Sequence, residues 1–183
     1  MSEVQGFVVR APLPAESAPL AGLLAAMERH HHTAVTGEEA AAATARLLGG
    51  HAPARCLVAV SSGAFAPEGR FLGVALFAPL FPGARFRDVM YLMALFVLPE
   101  ARGRGIARAL VAAVARAAID SGCERMEWGA DRGNALAQAA FKAMGVAEGD
   151  RVTYRVGPQS LARLAATGHA GDRAPRRRRP PPC

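Results

Sequence analysis

The feature that most constrains this chain is the segment Arg102-Gly103-Arg104-Gly105-Ile106-Ala107, which lies between a predicted strand and a predicted helix. The apolar run 95–98 precedes it and is stopped by Pro99, which has no N–H to give to a strand ladder. From Ile106 onward, apolar residues recur at helical spacing. Glycines let backbone N–H groups approach a ligand closely, and a helix start adds unpaired donors and a positive dipole end. The segment therefore predicts an anion-binding turn.

Other kinds of turn share this composition. The phosphate loop of nucleoside triphosphatases ends in Gly-Lys-Ser/Thr, but the only lysine of the chain is Lys142. A dinucleotide-binding turn, Gly103-x-Gly105-x-x-Gly, would place its third glycine at Arg108, where a large side chain crowds the helix–strand contact. An ordinary tight turn, whose glycines only relieve strain, stays open as an alternative. The succession of strand, proline, loop and amphipathic helix favours ligand binding.

Length and composition limit the class of protein. With 183 residues, of which 51% are hydrophobic, the chain is long enough for one α/β domain and too short for two. Because no apolar run approaches the roughly 20 residues of a membrane span and residues 1–10 lack a signal-peptide pattern, we expect a cytoplasmic protein with no membrane partner. The cysteines Cys56, Cys123 and Cys183 are scattered, which fits neither a disulfide framework nor a metal site. The strong preference for arginine over lysine, with abundant alanine, is typical of a GC-rich bacterial genome.

The net charge of +7 comes mostly from one end of the chain. Residues 172–183 hold five arginines and one acid, so without them the 22 basic and 15 acidic residues fall to 17 and 14, a net charge of +3. We expect a disordered Arg/Pro-rich tail there. Because no aromatic residues alternate with the arginines, no specific nucleic acid partner is predicted.

Three consecutive histidines, His30 to His32, suggest a metal site at first sight. Adjacent residues on a helix point about 100° apart and cannot share one ion well. We therefore expect an exposed helix end and no metal. Elsewhere, hydrophobic periodicity and turn residues predict an alternation of strands and helices. The predicted strands are 7–10, 56–60, 71–77, 91–98, 125–128 and 152–156, and the predicted helices are 15–30, 36–49, 106–119 and 134–145, with a final turn at 160–166.

This order of elements, together with Arg102-x-x-Gly105-x-Ala107 after a strand that ends in Val-x-Pro, resembles the GNAT acetyltransferase superfamily. Several short stretches of the sequence are similar to those of its diamine (spermidine/spermine-like) branch. The matching stretches are Cys56-Leu57-Val58-Ala59, Tyr91-Leu92, residues 95–100, Gly122-Cys123, Glu127-Trp128, Asn134, Lys142, Gly145, Thr153-Tyr154-Arg155 and Leu161-Ala162-Arg163-Leu164. The resemblance implies an α/β (α+β) fold with one mixed, mostly antiparallel sheet flanked by helices. We expect an acetyltransferase domain at 6–157, a helical turn and linker at 158–171 and the tail at 172–183.

The resemblance implies acetyl-CoA as co-substrate and a small-molecule amine as acceptor. The pantetheine arm would lie along one strand, where a backbone N–H near Val97 would face the thioester oxygen, and the pyrophosphate would lie on the glycine-containing turn. A preformed donor of this kind is typically worth about 10²–10³ in rate. The residues expected at the cofactor are Leu95, Phe96, Val97, Arg102, Gly103, Arg104, Gly105, Ile106, Ala107, Arg108 and Asn134. The sequence leaves the oligomeric state open, with a homodimer among the options.

Two departures from the branch concern the chemistry. Its acidic pair, which holds a cationic amine, is replaced by Met93 and Ala94, and its proton-donating tyrosine falls on Phe141, which has no proton to give and is interpreted as a core residue. General acid catalysis is worth typically about 10²–10⁴. The substitutes that the sequence offers are Tyr91, Glu28, the histidines at 30–32 (His32 foremost) or a water, so the catalytic residue stays unassigned. The alternative function is a non-catalytic acyl-CoA-binding module.

Overall fold

The computed structural model describes residues 6–50, 52–64 and 66–167. The chain divides into two compact units, Met1–Met144 and Gly145–Cys183, and each is described by itself. The first unit contains a five-stranded sheet and four α-helices. The second unit contains one helix within its described part.

The sheet is mixed and mostly antiparallel, as predicted. Its strands run in the order β1 to β5, so each strand pairs with its neighbours in the chain. The first three pairings are antiparallel, and β4 and β5 are parallel. The strands are β1 Phe7–Arg10, β2 Arg55–Ser61, β3 Phe71–Leu80, β4 Val89–Val97 and β5 Arg125–Trp128.

The helices of the first unit begin and end close to their predicted bounds. They are α1 Ser17–His30, α2 Gly37–Leu48, α3 Ile106–Asp120 and α4 Ala135–Ala143. The predicted capping box of α2 is present, because Thr36 Oγ1 accepts from the Glu39 N–H at 3.2 Å while the Glu39 carboxylate accepts from the Thr36 N–H at 2.7 Å. The Asn134 side chain caps α4 by accepting from the Ala137 N–H at 3.1 Å.

Two apolar clusters lie on opposite faces of the sheet. On one face, α3 contributes Ile106, Leu110 and Val114, which are almost fully buried. On the other face, α1 contributes four buried residues, Leu20, Leu23, Leu24 and Met27, against β2 and β3. Residues 94–97 of β4 alternate between the clusters, because strand side chains point to opposite faces in turn. The sheet is covered by α3 on one side and by α1 with α2 on the other.

Gly73 on β3 permits the close approach of β4 and α3. A Cβ at this position would lie 2.8 Å from the Phe96 carbonyl oxygen and 3.3 Å from a methyl carbon of Ile106. No side chain fits there without a shift of backbone. The glycine therefore fixes the distance between the end of β4 and the start of α3, the two elements that flank the predicted anion-binding turn.

The predicted strand at 152–156 is wrong. The structure gives these residues no strand pairing, and Val152, Tyr154 and Val156 are exposed. Alternating apolar residues indicate only that a segment can bury one face; a strand also needs a partner in register. The predicted turn at 160–166 is a longer helix, α5 Pro158–Thr167. The proposed tail at 172–183 lies outside the described residues. Within the described ranges, no helix is long and apolar enough to cross a membrane.

Candidate functional site

The parallel strands β4 and β5 separate halfway along β4. Their pairing runs from Val89 with Arg125 to Leu92 with Trp128 and ends there. β4 continues for five more residues, to Val97, paired with β3 alone among the strands of the described chain. The second half of β4 therefore has one open edge beyond the end of β5, and we call the space beside this edge the cleft.

The open edge of β4 presents the peptide groups of Leu95 and Val97. The Leu98 N–H donates to the Leu72 carbonyl at 2.9 Å, so the backbone of Leu98 faces β3. In an antiparallel ladder, successive residues direct their N–H and C=O groups to opposite sides. The N–H and C=O groups of Val97 and Leu95 therefore point away from β3, into the cleft. This is the edge that the resemblance assigns to the cofactor.

A bulge in β4 marks the point where the strands separate. Ala94 pairs with Leu76 and Leu92 pairs with Phe77, which leaves Met93 without a partner on β3. The Met93 side chain is 47% exposed, whereas Ala94 is half-buried against the apolar cluster under α1. Of the two positions where an acidic pair was expected, Met93 is therefore the one that is open to solvent. The bulge itself was not predicted from the sequence.

The turn after β4 has the geometry of an anion-binding loop. Gly103 and Gly105 have φ of +76° and +79°, which side chains other than glycine rarely adopt, and the space around both is open. Gly105 is followed directly by α3, whose first backbone bond runs from the Ala109 N–H to the Gly105 carbonyl. The N–H groups of the first helical turn, at residues 106–108, precede that bond and have no carbonyl within the helix to bind. The chain thus fits a pyrophosphate, since it offers backbone donors at an uncrowded helix N-terminus.

Arg102 in the turn and Arg108 at the start of α3 are each fixed by a hydrogen bond to a backbone oxygen. Arg102 Nε donates to the Val97 carbonyl at 3.2 Å, which ties the turn to the open edge of β4. Arg108 Nη2 donates to the Ala143 carbonyl at 2.8 Å, which ties the start of α3 to the end of α4. Both arginines therefore shape the site, and the backbone N–H groups remain available for the anion.

The end of α1 reaches the same edge through His30. Its ring packs against Phe96 of β4, with the centroids 5.6 Å apart, and its Nε2 lies 3.4 Å from Arg102 Nη2. Loss of solvent around the ring is the largest cause that lowers the pKa of His30, followed by the charge of Arg102 and then of His31 and His32. His30 is therefore biased towards the neutral form. From the sequence, His30 was considered with His31 and His32 as a metal ligand or a substitute proton donor, and its contact with Arg102 was not predicted.

Tyr91 lies in the paired part of β4, and its hydroxyl lies near the end of β5. It lies opposite Glu127 in the β4–β5 pairing, and its hydroxyl is 3.8 Å from the position that a Cβ would take at Gly129, just beyond β5. Of the residues proposed as substitutes for the missing tyrosine, it is the one on β4. His32 lies in the turn after α1, with φ of +58°, and Glu28 lies in the last turn of that helix.

Phe141 packs on the end of β5 and is not part of the buried core. Its ring meets Trp128 edge to face, with centroids 5.3 Å apart, and both side chains are half-buried. No residue of α4 is buried. The interpretation of Phe141 as a core residue is therefore wrong: the ring lies beside the strand that borders the cleft, at the wall formed with Trp128.

Other reactive groups are not suited to chemistry at this site. Burial raises the pKa of the Cys56 thiol to about 12, so that it stays protonated. In the part of the chain that the structure describes, no three His, Cys, Asp or Glu side chains come together as metal ligands. The site is therefore built from backbone groups, arginines, aromatic rings and one tyrosine hydroxyl.

Part of this chain is similar to proteins with known names. The chain is 38% identical over 72 residues to an aminoglycoside N(6')-acetyltransferase type 1 of Salmonella typhimurium, which is 39% of this chain and 50% of that protein. The chain thus spans about half the length of the curated relatives it matches. An integron cassette protein from the mobile metagenome of V. cholerae superimposes with a TM-score of 0.73 at 24% identity, covering 87% of this chain and 98% of that one.

A second solved structure that resembles this chain is a complex with CoA. An aminoglycoside N-acetyltransferase in complex with CoA superimposes with a TM-score of 0.68 at 24% identity, covering 83% of this chain and 95% of that one. These two likenesses show the fold. The family model described as "Acetyltransferase (GNAT) family" matches residues 24–146, which include the whole of β4, its open edge and the turn that follows. The chain therefore belongs to the GNAT acetyltransferase family.

Proposed function

We propose that this protein is an acetyl-CoA-dependent N-acetyltransferase that acts on the amine of a small molecule. The observation that carries the proposal is the open edge of β4, where the peptide of Val97 points into a cleft beside an uncrowded, glycine-containing helix start. Membership of the family supports it. Acetyl-CoA would supply the activated acyl group.

The backbone provides the binding and electrostatic parts of the proposed mechanism. The N–H and C=O groups of Leu95 would pair with the amides of an extended pantetheine arm, as an added strand does. The N–H groups of residues 106–108 would hold the pyrophosphate. The Val97 N–H is a preformed donor for negative charge that develops on a thioester oxygen, a contribution typically worth about 10²–10³ in rate. None of these roles needs a side chain that the sequence lacks.

The Tyr91 hydroxyl is our choice for the proton donor. It lies on the strand that forms one wall of the cleft, whereas Phe141 has no ionisable group. The remaining requirement, a neutral amine held near the acyl carbon, is a matter of positioning, which can supply roughly 7–11 kcal/mol of the barrier.

The acceptor is proposed to be an amine of low positive charge. A polycation needs carboxylates to offset its desolvation, and the expected acidic pair is Met93 and Ala94 here. We therefore do not propose the amines of the diamine branch as substrates of this protein. Aminoglycosides belong in the test panel as a second polycation, because matched relatives are named for them, and efficient transfer to one would contradict the low-charge class. A homodimer and a cytoplasmic location remain predictions.

The deciding experiment measures acetyl transfer and CoA binding together. Purified protein is assayed over a panel of amines (spermidine, an aminoglycoside, amino acids and aromatic monoamines), and the affinity for acetyl-CoA is measured by calorimetry. We expect micromolar to millimolar affinity and transfer to at least one amine of low charge, with spermidine a poor substrate. Binding without transfer to any amine would favour the non-catalytic acyl-CoA-binding module.

A pair of glycine variants tests the location of the site. Gly105→Glu places an anion where the pyrophosphate is proposed to lie, so affinity for acetyl-CoA should fall at least a hundredfold. Gly122→Glu is the matched control, since Gly122 also has positive φ (+71°) and open space but lies at the opposite end of α3. Both variants carry the same backbone strain, and only the first should lose binding. Equal affinity in both would contradict the assignment.

A further inference from the structure

We propose that His30 is a positioning residue for Arg102: its neutral imidazole holds the guanidinium on the Val97 carbonyl, and its protonation releases the guanidinium and weakens cofactor binding. The inference rests on the proposed function of this cleft. It adds a residue on α1, outside the strand and the turn, that controls the turn.

Three interactions in series carry the inference. Phe96 of β4 supports the His30 ring from one side, at a centroid distance of 5.6 Å. His30 Nε2 lies 3.4 Å from Arg102 Nη2, and Arg102 Nε donates to the Val97 carbonyl at 3.2 Å. The series thus runs from α1 to the first residue of the turn and ends on the peptide that borders the proposed acyl site.

The hydrogen bond between His30 and Arg102 requires a neutral imidazole. A guanidinium has only donors, so Nε2 must offer its lone pair, and the ring must carry its proton on Nδ1. Protonation replaces the lone pair with a second N–H and brings two positive charges together. Arg102 is then left with the Val97 carbonyl as its one acceptor in this series, and the turn is attached less firmly to β4.

The side chains that face His30 come from the turn, from β4 and from the end of α1. The turn contributes Arg102, the strand contributes the uncharged Phe96, and the end of α1 contributes His31 and His32. All the charged groups in this set are positive or become positive in acid. The loss of solvent and these charges lower the pKa of His30, so the neutral form predominates at neutral pH.

Simple charge attraction and the positioning role predict opposite effects of acid. Added positive charge on His30, His31 or His32 near an anion site would strengthen the binding of CoA as the pH falls. Release of Arg102 would weaken it. A decrease of affinity in acid therefore cannot come from charge attraction by the histidines.

The test measures the affinity for dephospho-CoA by calorimetry from pH 5 to pH 8. Dephospho-CoA is the probe because it keeps the pyrophosphate but lacks the 3′-phosphate, whose own titration near pH 6 would confuse the result. The wild type should bind roughly tenfold more weakly at pH 5 than at pH 8, the effect of losing a hydrogen bond to a charged group.

Three variants separate the positioning role from a structural one. His30→Gln keeps an acceptor that does not titrate, so it should bind as tightly as the wild type at pH 8 and keep that affinity at pH 5. His30→Ala has no acceptor and should bind roughly tenfold more weakly at both values. His31→Gln is the control: it should still bind more weakly at pH 5 than at pH 8, with the change moved to slightly higher pH because one charge that lowers the pKa of His30 is gone. A His30→Gln variant that follows the wild-type profile, or a His30→Ala variant that binds normally at pH 8, would overturn the inference.

A measurement without ligand separates this inference from the proposed function. The imidazole of His30 is titrated by NMR in the wild type and in Arg102→Gln, where we expect its pKa to rise because one of the charges that lower it is gone. An unchanged pKa would overturn the positioning role. Failure of the wild type to bind CoA at any pH would instead overturn the proposed function, whatever the titration shows.

Discussion

At the scale of single residues, the choice of proton donor depends on which aromatic ring near the end of β5 carries a hydroxyl. Phe141 and Tyr91 both lie close to the point where β4 and β5 separate, one packed on Trp128 and the other with its hydroxyl near Gly129. Only the second can donate a proton. The proposed proton donor is thus on β4, whereas the family resemblance places it on α4.

Exchanging these rings tests the proton donor. Tyr91→Phe should lower kcat by about 10²–10⁴ with little change in the KM for acetyl-CoA, because general acid catalysis acts on the chemical step. The double variant with Phe141→Tyr should regain part of the rate if the helix position also faces the reacting sulfur. Steady-state kinetics over a pH range checks both. Tyr154→Phe, which changes an exposed tyrosine outside the first unit, is the control. An unaltered kcat in Tyr91→Phe would show that a water or another residue gives the proton.

Acceptor selectivity can be tested at the bulge. Met93 is half exposed, so Met93→Glu adds a carboxylate at the open position with little cost to folding, and kcat/KM for spermidine should rise about tenfold or more. Ala94→Asp would place a charge in the apolar cluster under α1 and should destabilise the fold by several kcal/mol. Thermal denaturation and a spermidine assay distinguish the two. Efficient use of spermidine by the unmodified protein would contradict the low-charge substrate class.

At the scale of elements, the sequence predicted those whose signals are local. β1, α1 and β5 agree with their predicted bounds within two residues, and the caps at Thr36 and Asn134 are as expected, because periodicity and capping depend on neighbours in the chain. The bulge at Met93 and the missing strand at 152–156 depend on register with distant residues. So does the pairing of His30 with Arg102, which are 72 residues apart. One sequence carries no signal for such pairings.

Gly73 tests the packing between β3, β4 and α3. Gly73→Ala should lower the free energy of unfolding by about 1–3 kcal/mol, because the added methyl group meets the Phe96 carbonyl and the Ile106 side chain at less than van der Waals distance. Gly22→Ala, within α1 and with open space around it, is the control and should stabilise by up to about 1 kcal/mol. Urea denaturation measures both. Equal stabilities would mean that β3 moves away without cost.

An ion pair in the connection between β1 and α1 predicts that the stability of the fold depends on pH. Arg10 holds Glu16 through two hydrogen bonds of 2.6 and 2.7 Å, and this partner, more than the Leu13 N–H, lowers the pKa of Glu16 to about 2. The folded state therefore binds its proton less readily than the unfolded state, whose pKa is near 4.5. The stabilisation is present above about pH 4.5 and is lost as the pH falls towards 2.

The matching variant is Glu16→Gln. Both side chains of the pair are partly exposed, so the variant should lose only about 1 kcal/mol at pH 7. The difference from the wild type should shrink between pH 4.5 and pH 2, as measured by urea denaturation at each pH. A difference that stays constant down to pH 2 would show that the carboxylate is not the cause.

At the scale of the whole molecule, the family match and the first compact unit end at nearly the same place. The match runs to residue 146 and the unit to Met144. The cofactor turn, the open strand edge and the aromatic wall at Trp128 all lie before that point. The predicted domain boundary at 157 stays a prediction.

The charge distribution gives the prediction for the complete chain. Deleting residues 172–183 removes five arginines and one aspartate, so the net charge falls from +7 to +3. We expect the thermal midpoint and the affinity for acetyl-CoA to stay unchanged, because the proposed site lies within residues 24–146. Weak RNA binding, if the full chain shows it, should be lost or greatly reduced. For any binding that remains, the slope of log affinity against log salt concentration should be smaller by about 0.7 for each phosphate that an arginine no longer neutralises.

A variant with the five arginines changed to serine keeps the length and should behave in the same way. A lower thermal midpoint in the deletion but not in the serine variant would show that the segment contributes to the fold through its backbone, against the expectation that it is a solvated tail.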